Sequence, residues 1–234
     1  MMMEHRAAIG VILPSSNRIV ERVTRSILEN YPGMDACFTR VPYAGHPSDG
    51  YNLEPFRRAA SMLAEAHPEI ILWNATRGAL LGFEPDRQLC AMIESETGIP
   101  ATTTALATVT QLRAKDVRRI ALLAQGTERD GAKLVQTFRA EGIEIVSSAS
   151  LGIVDNYEAA RVSAADIEHA AAQIVRKGEP DALLVWSTNL AGYPLIDQLS
   201  LQLGVRVVDS TAIGTFEALA RVAQREPAAA LAQQ

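Results

Sequence analysis

The chain has 234 residues, more than one average domain of ~150 residues and short of two. Its composition, 48% hydrophobic and 21% charged, is that of a folded globular protein and excludes a disordered or low-complexity chain. The net charge of −5 argues against a binder of nucleic-acid phosphates, and no apolar run approaches the ~20 residues that cross a bilayer.

Short aliphatic runs alternate along the chain with longer stretches of helical period. Strands are expected at Ala8–Leu13, Ala36–Val41, Ile70–Trp73, Ile120–Ala124, Ile143–Ser147, Ala182–Trp186 and Val205–Val208. Helices are expected at Ile19–Asn30, Leu53–Ala66, Asp86–Glu96, Gly131–Glu141, Ala164–Lys177 and Pro194–Leu203. Alternation of this kind builds crossover units on a mostly parallel sheet, so the fold class is α/β. Uniformly apolar strands fit a sheet covered on both faces. The Ala/Gln-rich tail Arg225–Gln234 is expected to fray.

The order of elements repeats. Ile9 and Ile120 open similar strand–loop–helix units at an offset of 111 residues. Pro68–Thr76 resembles Pro180–Thr188 at an offset of 112, and Thr97–Thr103 resembles Leu203–Asp209 at 106. Three segments in the same order at similar offsets indicate duplication. Two facing half-domains would bring two sets of strand ends into one cleft, where parallel sheets collect small ligands.

The loops after the strands are therefore the candidate binding loops. Pro14-Ser15-Ser16-Asn17 can cap a helix or hold an anion on exposed N–H groups. Asn74-Ala75-Thr76-Arg77-Gly78 offers a hydroxyl beside a guanidinium that can pair with a carboxylate, or that simply faces solvent. Ser187-Thr188-Asn189 is its counterpart in the second half, and Gly126-Thr127-Glu128 follows the strand at Ile120–Ala124. A long loop, Tyr43–Tyr51, carries His46 and Tyr51. No Walker loop, dinucleotide fingerprint, metal-ligand spacing or Gly-x-Ser-x-Gly elbow occurs, so neither a metal nor an organic cofactor is implied. His67 is expected to cap a helix end and His169 to lie on a helix surface. Cys37 and Cys90 are too few for a disulfide framework and suit a reducing, cytoplasmic setting as small core residues. Met1–Arg6 lacks the apolar core of a secretory leader.

Several of these segments carry a family resemblance. They are Ile9–Asn17, Asp49-Gly50-Tyr51, Thr97–Thr104 running on through Leu112–Leu122, Leu151-Gly152-Ile153 and Ser187–Leu190. Together they resemble the aspartate/glutamate racemase superfamily, in its arylmalonate decarboxylase and maleate isomerase branch, over nearly the whole chain. The resemblance implies two similar α/β halves related by a pseudo-twofold axis, with the active site between them. Residues 6–112 plus 209–234 would form the first half and 113–208 the second, the helix at Ser210–Ala223 returning to the first.

The chemistry implied is cofactor-independent turnover of a small carboxylic acid, with no nucleic-acid or membrane partner and with self-association left open. In that branch cysteines stand at one or both symmetric strand ends, positions that match Ala75 and Ser187 here. An unassisted serine hydroxyl does not ionise near neutral pH as a thiol of pKa ~8.5 can, so cysteine-based racemization is not expected. By the same resemblance Thr76, Tyr51, Pro14 and Asn17 would line a carboxylate pocket, and Gly126 stands where a family tyrosine would be, which would enlarge it. Ser187, His46 or Tyr51 would then supply a proton. Decarboxylation or isomerization through a stabilised carbanion, a hydrolase or other lyase using Ser187 or water, and a carboxylate-binding variant without turnover all remain open.

Overall fold

A computed structural model describes residues 6–42 and 50–231, with side chains through residue 224. The chain forms β1 (Ala7–Pro14), α1 (Val20–Leu28), β2 (Met34–Val41), α2 (Leu53–Ala64), β3 (Ile70–Trp73), α3 (Glu84–Thr97), β4 (Ala101–Thr103) and α4 (Thr104–Ala114). The same succession follows as β5 (Arg119–Ala124), α5 (Glu128–Ala140), β6 (Glu144–Ser150), the short α6 (Asn156–Ala159), α7 (Ala164–Gly178), β7 (Ala182–Trp186), α8 (Ile196–Leu203), β8 (Arg206–Asp209) and α9 (Ser210–Leu231). Single 3₁₀ turns at Arg77–Ala79 and Tyr193–Leu195 precede α3 and α8.

There are two four-stranded sheets, ordered β2-β1-β3-β4 and β6-β5-β7-β8, and every strand pair is parallel. The central strands β3, β5 and β7 are buried nearly end to end, as their unbroken apolar runs require. The edge strand β6 is Ser-rich and half-exposed, and it starts and ends later than the apolar run Ile143–Ser147 predicts. Pairing with β5 extends it to Ser150.

Two elements escape the hydrophobic pattern. β4 is only three residues long. α4 carries Thr104 and Thr108 as buried residues, so no polar-against-apolar stripe marks it. The helix that ends the chain is longer than expected: helical backbone continues past Pro227 to Leu231, through the strong helix formers Ala228–Ala230. At the end of α2, His67 acts through its backbone, with φ of 48° and its N–H donating to the Ala64 carbonyl.

The two sheets exchange a helix. On one face of the first sheet, α2 and α3 pack against Ile12, Ile71 and Trp73. On the other, Val20 of α1 and Ala218 and Val222 of α9 pack against Ile9, Val11, Leu13, Ile70 and Leu72. In the second sheet, α7 and α8 cover Ala121, Leu123 and Leu183. The opposite face packs against Leu134 and Phe138 of α5 and against Ala105, Val109 and Leu112 of α4. Thus α4, which a division at residue 112 leaves mostly with the first half, joins the core of the second, and α9 closes the first. α4 and α9 meet along a buried polar seam. Thr104 donates to Asn74 Oδ1 at 3.0 Å, Asn74 Nδ2 donates to the Thr211 carbonyl at 3.2 Å, and Thr24 and Thr215 share a hydrogen bond at 3.3 Å. Gly214 permits the approach, because a Cβ there would overlap Thr104 Oγ1. Each satisfied bond in such a seam adds about 1 kcal/mol net, whereas an orphaned partner would cost more.

Candidate functional site

The carboxyl ends of β1, β3, β5 and β7 surround a cavity of about 300 Å³. Pro14, Tyr51, Ala75, Thr76, Arg77, Gly126, Ser187 and Thr188, each singled out from the sequence, line it together. Ala75 and Ser187 occupy equivalent places after β3 and β7, one in each half. Neither of the chain's two cysteines lines the cavity: Cys37 lies in β2 and Cys90 is buried in α3. Burial pushes the Cys90 thiol up to about 12, with further upward pressure from Asp86 and Glu94.

The remaining expected residues sit elsewhere. Ser15, Ser16 and Asn17 line a separate, more open groove with Arg18, Arg22, Arg25 and Arg40. Asn17 is buried and spent on structure. Its Oδ1 accepts from the Ile19 and Val20 N–H groups, each at 2.9 Å, and its Nδ2 donates to the Thr188 carbonyl at 3.0 Å. Asn189 mirrors it: Oδ1 accepts from the Arg18 N–H at 2.8 Å, and Nδ2 donates to the Asn156 carbonyl. The two asparagines therefore pin the loop after β1 to the loop after β7, joining the halves beside the cavity. Thr127 caps α5 in a reciprocal box with Asp130. His46 lies outside the described residues.

The Ser187 hydroxyl is held firmly. It donates to Gln125 Oε1 at 2.6 Å and accepts from the Asn189 N–H at 3.0 Å. An amide oxygen does not take up a proton near neutral pH, so this pair orients the hydroxyl without activating it.

Apart from Tyr51, the apolar wall was not legible from the sequence. Tyr51, Phe56 and Trp73 stack edge-on and tilted, with ring centroids 4.8–6.2 Å apart, and line the cavity with Leu80, Leu134 and Trp186. Trp186 is backed by Phe138 at 5.1 Å, itself against Phe83 at 5.5 Å. Trp73 and Trp186 end apolar strands and so read as core. Gln125, Asp130 and Asn156 also line the cavity. Gln125 was detectable, since it is the repeat counterpart of Pro14 at the offset of 111 residues. At Gly126 the side of the cavity is filled by a neighbour: a Cβ there would stand 2.7 Å from Asp130 Oδ2.

Beneath the wall lies a buried carboxyl. Asp86, in the first turn of α3, is fully enclosed against Gly78, where any Cβ would overlap Asp86 Oδ2. Tyr51 donates to that oxygen at 3.5 Å and accepts from Trp73 Nε1 at 3.2 Å. Burial pushes Asp86 up to about 7, opposed by bonds from Thr103 and Tyr51 and by the Arg87 charge. Burial and the Asp86 charge hold Tyr51 well above the ordinary phenol range, opposed by Trp73, Arg77 and the Gly78 N–H.

Two similar four-stranded parallel α/β halves, with one cavity lined by apolar, polar and charged side chains at their facing strand ends, define the class of fold. The chain belongs to the arylmalonate decarboxylase family, whose profile matches residues 49–233. It is 26% identical over 222 residues to a maleate isomerase of Nocardia farcinica (strain IFM 10152), covering 90% of this chain and 88% of the relative. Among solved structures, the Nocardia farcinica maleate cis-trans isomerase carrying a Cys-to-Ser change and a covalently bound succinylcysteine intermediate superposes with a TM-score of 0.83 at 24% identity, covering 92% of each chain. A liganded arylmalonate decarboxylase with one Gly-to-Cys and one Cys-to-Ser change gives 0.80 at 23%, covering 91% of each. The maleate isomerase Iso of Pseudomonas putida S16 gives 0.81 at 20%, covering 92% of each. Among the described residues no helix is long and apolar enough to cross a membrane.

Proposed function

We propose that the protein is a cofactor-independent enzyme that decarboxylates or isomerizes a small mono- or dicarboxylic acid through a stabilised enediolate or carbanion, without a catalytic cysteine. The observation that carries this reading is the placement of Arg77 and Thr76 across one cavity from Ser187 and Thr188, within an aromatic wall. A guanidinium and a hydroxyl at the end of β3 suit one carboxylate. The Thr188 hydroxyl and the backbone N–H groups of the opposite turn suit the oxygen on which charge accumulates, while the Ser187 hydroxyl stays bonded to Gln125. Fixed donors in an apolar enclosure stabilise such charge far better than water-exposed ones do. In a decarboxylation the electrons of the broken C–C bond pass into that enediolate as CO₂ leaves, and a proton then closes the α-carbon.

The family membership supports an enzyme of this kind. The maleate isomerase relatives supply the isomerization alternative. Nucleophilic hydrolysis by Ser187 is not favoured, because its hydroxyl faces the Gln125 amide rather than a base.

The test is proton NMR in D₂O of the purified protein with phenylmalonate and, separately, with maleate. Deuterated phenylacetate or fumarate formed well above the uncatalysed rate is the expected result. No product from either acid, at protein concentrations equal to substrate, would overturn the reading. Ser187→Cys and Ala75→Cys then decide whether thiol chemistry has been replaced or only silenced: a gain seen with either places the lost group at that strand end.

A further inference from the structure

The proposed function leaves the donor hydrogen bond on the β3 side of the cavity unexplained, and the buried carboxyl behind Tyr51 addresses it. A phenol oxygen has one hydrogen and two lone pairs. Trp73 Nε1 donates to the Tyr51 oxygen at 3.2 Å, and the Gly78 N–H also faces it. The single hydrogen then has two destinations, Asp86 Oδ2 at 3.5 Å or an anion in the cavity that Tyr51 lines.

The carboxyl is built in deliberately close. Only a glycine at position 78 leaves room for it, and Asp86 Oδ1 has no hydrogen-bond partner although it is fully buried. A carboxylate with one oxygen so placed is costly, and the neutral acid far less so. The geometry points to Asp86 as a proton-gated positioning residue: neutral, it frees the Tyr51 hydrogen to bond a substrate carboxylate or enediolate; ionised, it holds that hydrogen behind the wall.

This inference rests on the carboxylic-acid reading of the cavity. The charged and titratable groups around Asp86 are Tyr51 from the loop before α2, Arg77 from the turn after β3, and Arg87 and Cys90 on α3, with the Thr103 hydroxyl bonded from the end of β4. Its ordinary value is exceeded, so Asp86 is neutral below about 7 and charged above it. The gate is open on the acid side. Above the midpoint it closes, and a buried negative charge is added behind an anionic ligand.

The experiment has two arms. Infrared spectra of the unliganded protein, taken against Asp86→Asn, isolate the C=O band of the protonated carboxyl from that of Asp209, which burial also pushes up to about 7. The band is expected to vanish with a midpoint near 7. Calorimetric binding of phenylmalonate and maleate to wild type is expected to weaken by about tenfold per pH unit above the midpoint, the slope of a single linked proton. In Asp86→Asn, where the side chain stays neutral, affinity is expected to be flat with pH. In Tyr51→Phe it is expected to be weak already on the acid side, with only the shallower decline that the Asp86 charge itself imposes. An unchanged slope in Asp86→Asn, full affinity in Tyr51→Phe, or no titrating band overturns the gate while leaving the proposed function intact. Failure of wild type to bind either acid at mildly acidic pH overturns the proposed function and the gate with it.

Discussion

The two strand ends that face each other across the cavity descend from one repeated pattern but carry different chemistry. After β3 stand Ala75, Thr76 and Arg77, backed by Tyr51 and the buried Asp86. After β7 stand Ser187, Thr188 and Asn189, backed by Gln125. One end is charged and titratable, and the other is a fixed array of neutral dipoles. The third residues show the divergence best: Arg77 lines the cavity, whereas Asn189 is turned away to bond Arg18 and Asn156. Duplication has thus kept the backbone frame in both halves. It has left a guanidinium at the cavity in one and a joint-holding amide in the other.

That comparison breaks most visibly at Gly78, whose repeat counterpart at an offset of 112 is Leu190. The second half places a full side chain there, buried against Ala159 and Val185. The first half has no such room. Gly78→Ala is expected to destabilise by about 3 kcal/mol, because α3 must move to release Asp86, and Gly78→Ala combined with Asp86→Gly should recover much of it. Urea unfolding of the pair checks this. Equal stability of Gly78→Ala and wild type would mean that Asp86 is not wedged as described.

The next effect is on binding. Arg77→Gln is expected to weaken phenylmalonate binding about 30-fold, the equivalent of about 2 kcal/mol for a charge-assisted bond. Asn189→Ala should leave affinity within about threefold and lower stability by about 1 kcal/mol instead. Calorimetry and unfolding on the same two proteins separate the roles. Similar affinity losses in both would erase the asymmetry between the two turns.

The strand ends that start α4 and α9 offer a third contrast. Thr103 caps α4 as a neutral hydroxyl, while its counterpart Asp209 caps α9 through one oxygen, bonding the Ala212 N–H at 3.0 Å, and leaves the other without a partner. Burial raises Asp209 from 3.8 to about 7, against bonds from Ala212 and Thr211. Between those two values the folded state holds a proton that the unfolded chain has lost, so stability from this group is full below 3.8 and declines as pH rises to about 7. Asp209→Asn removes the decline. Its stability relative to wild type is expected to improve by at most about 4 kcal/mol from pH 4 to pH 8, about 1.4 kcal/mol for each pH unit between the two values. A difference that stays level with pH would show that the carboxyl is not strained.

How much of this was legible in the sequence follows from where each signal comes from. The repeat was visible because each half must rebuild the same apolar strand and the same turn, so Pro68–Thr76 and Pro180–Thr188 keep one pattern. The loop residues Pro14, Tyr51, Thr76, Arg77, Ser187 and Thr188 were visible because parallel sheets present ligands at those ends. Asp86 was not: a carboxylate in the first turn of a helix reads as an ordinary favourable charge, and only the missing Cβ of Gly78 in three dimensions shows it to be enclosed. The family resemblance implied the return of Ser210–Ala223 to the first half, but the crossing of α4 into the second core and the seam that joins the two helices were hidden for a related reason. The residues that join them are threonines and an asparagine, which read as polar surface in a sequence and become interior only when two helices meet at the pseudo-axis.

The smallest expected effect concerns a joint whose residues do not line the cavity. Glu141, at the end of α5, bonds Arg87 of α3 at 2.7 Å and Arg113 of α4 at 2.8 Å, so one carboxylate ties helices from three parts of the chain. Partial burial raises its pKa, but the bonds and charges of Arg87 and Arg113 together outweigh this and hold it below 4.5. The folded value lies below the unfolded one, so the stabilisation is present above the unfolded value and lost as pH falls through the folded one. Both arginines are about half exposed, and solvent screening limits the contribution of the cluster to about 0.5–1 kcal/mol. Glu141→Gln is therefore expected to cost that much at neutral pH, to approach wild type as the carboxylate is protonated on the acid side of 4.5, and to lose most of its effect at high salt. The seam between α4 and α9 contains no ion pair of this kind at its centre, and Asn74→Ala there should cost more than Glu141→Gln at every pH and salt concentration. Chemical unfolding of both variants across pH and ionic strength decides it. A larger loss for Glu141→Gln would move the main fastening of the two halves from the buried polar seam to the surface ion pairs.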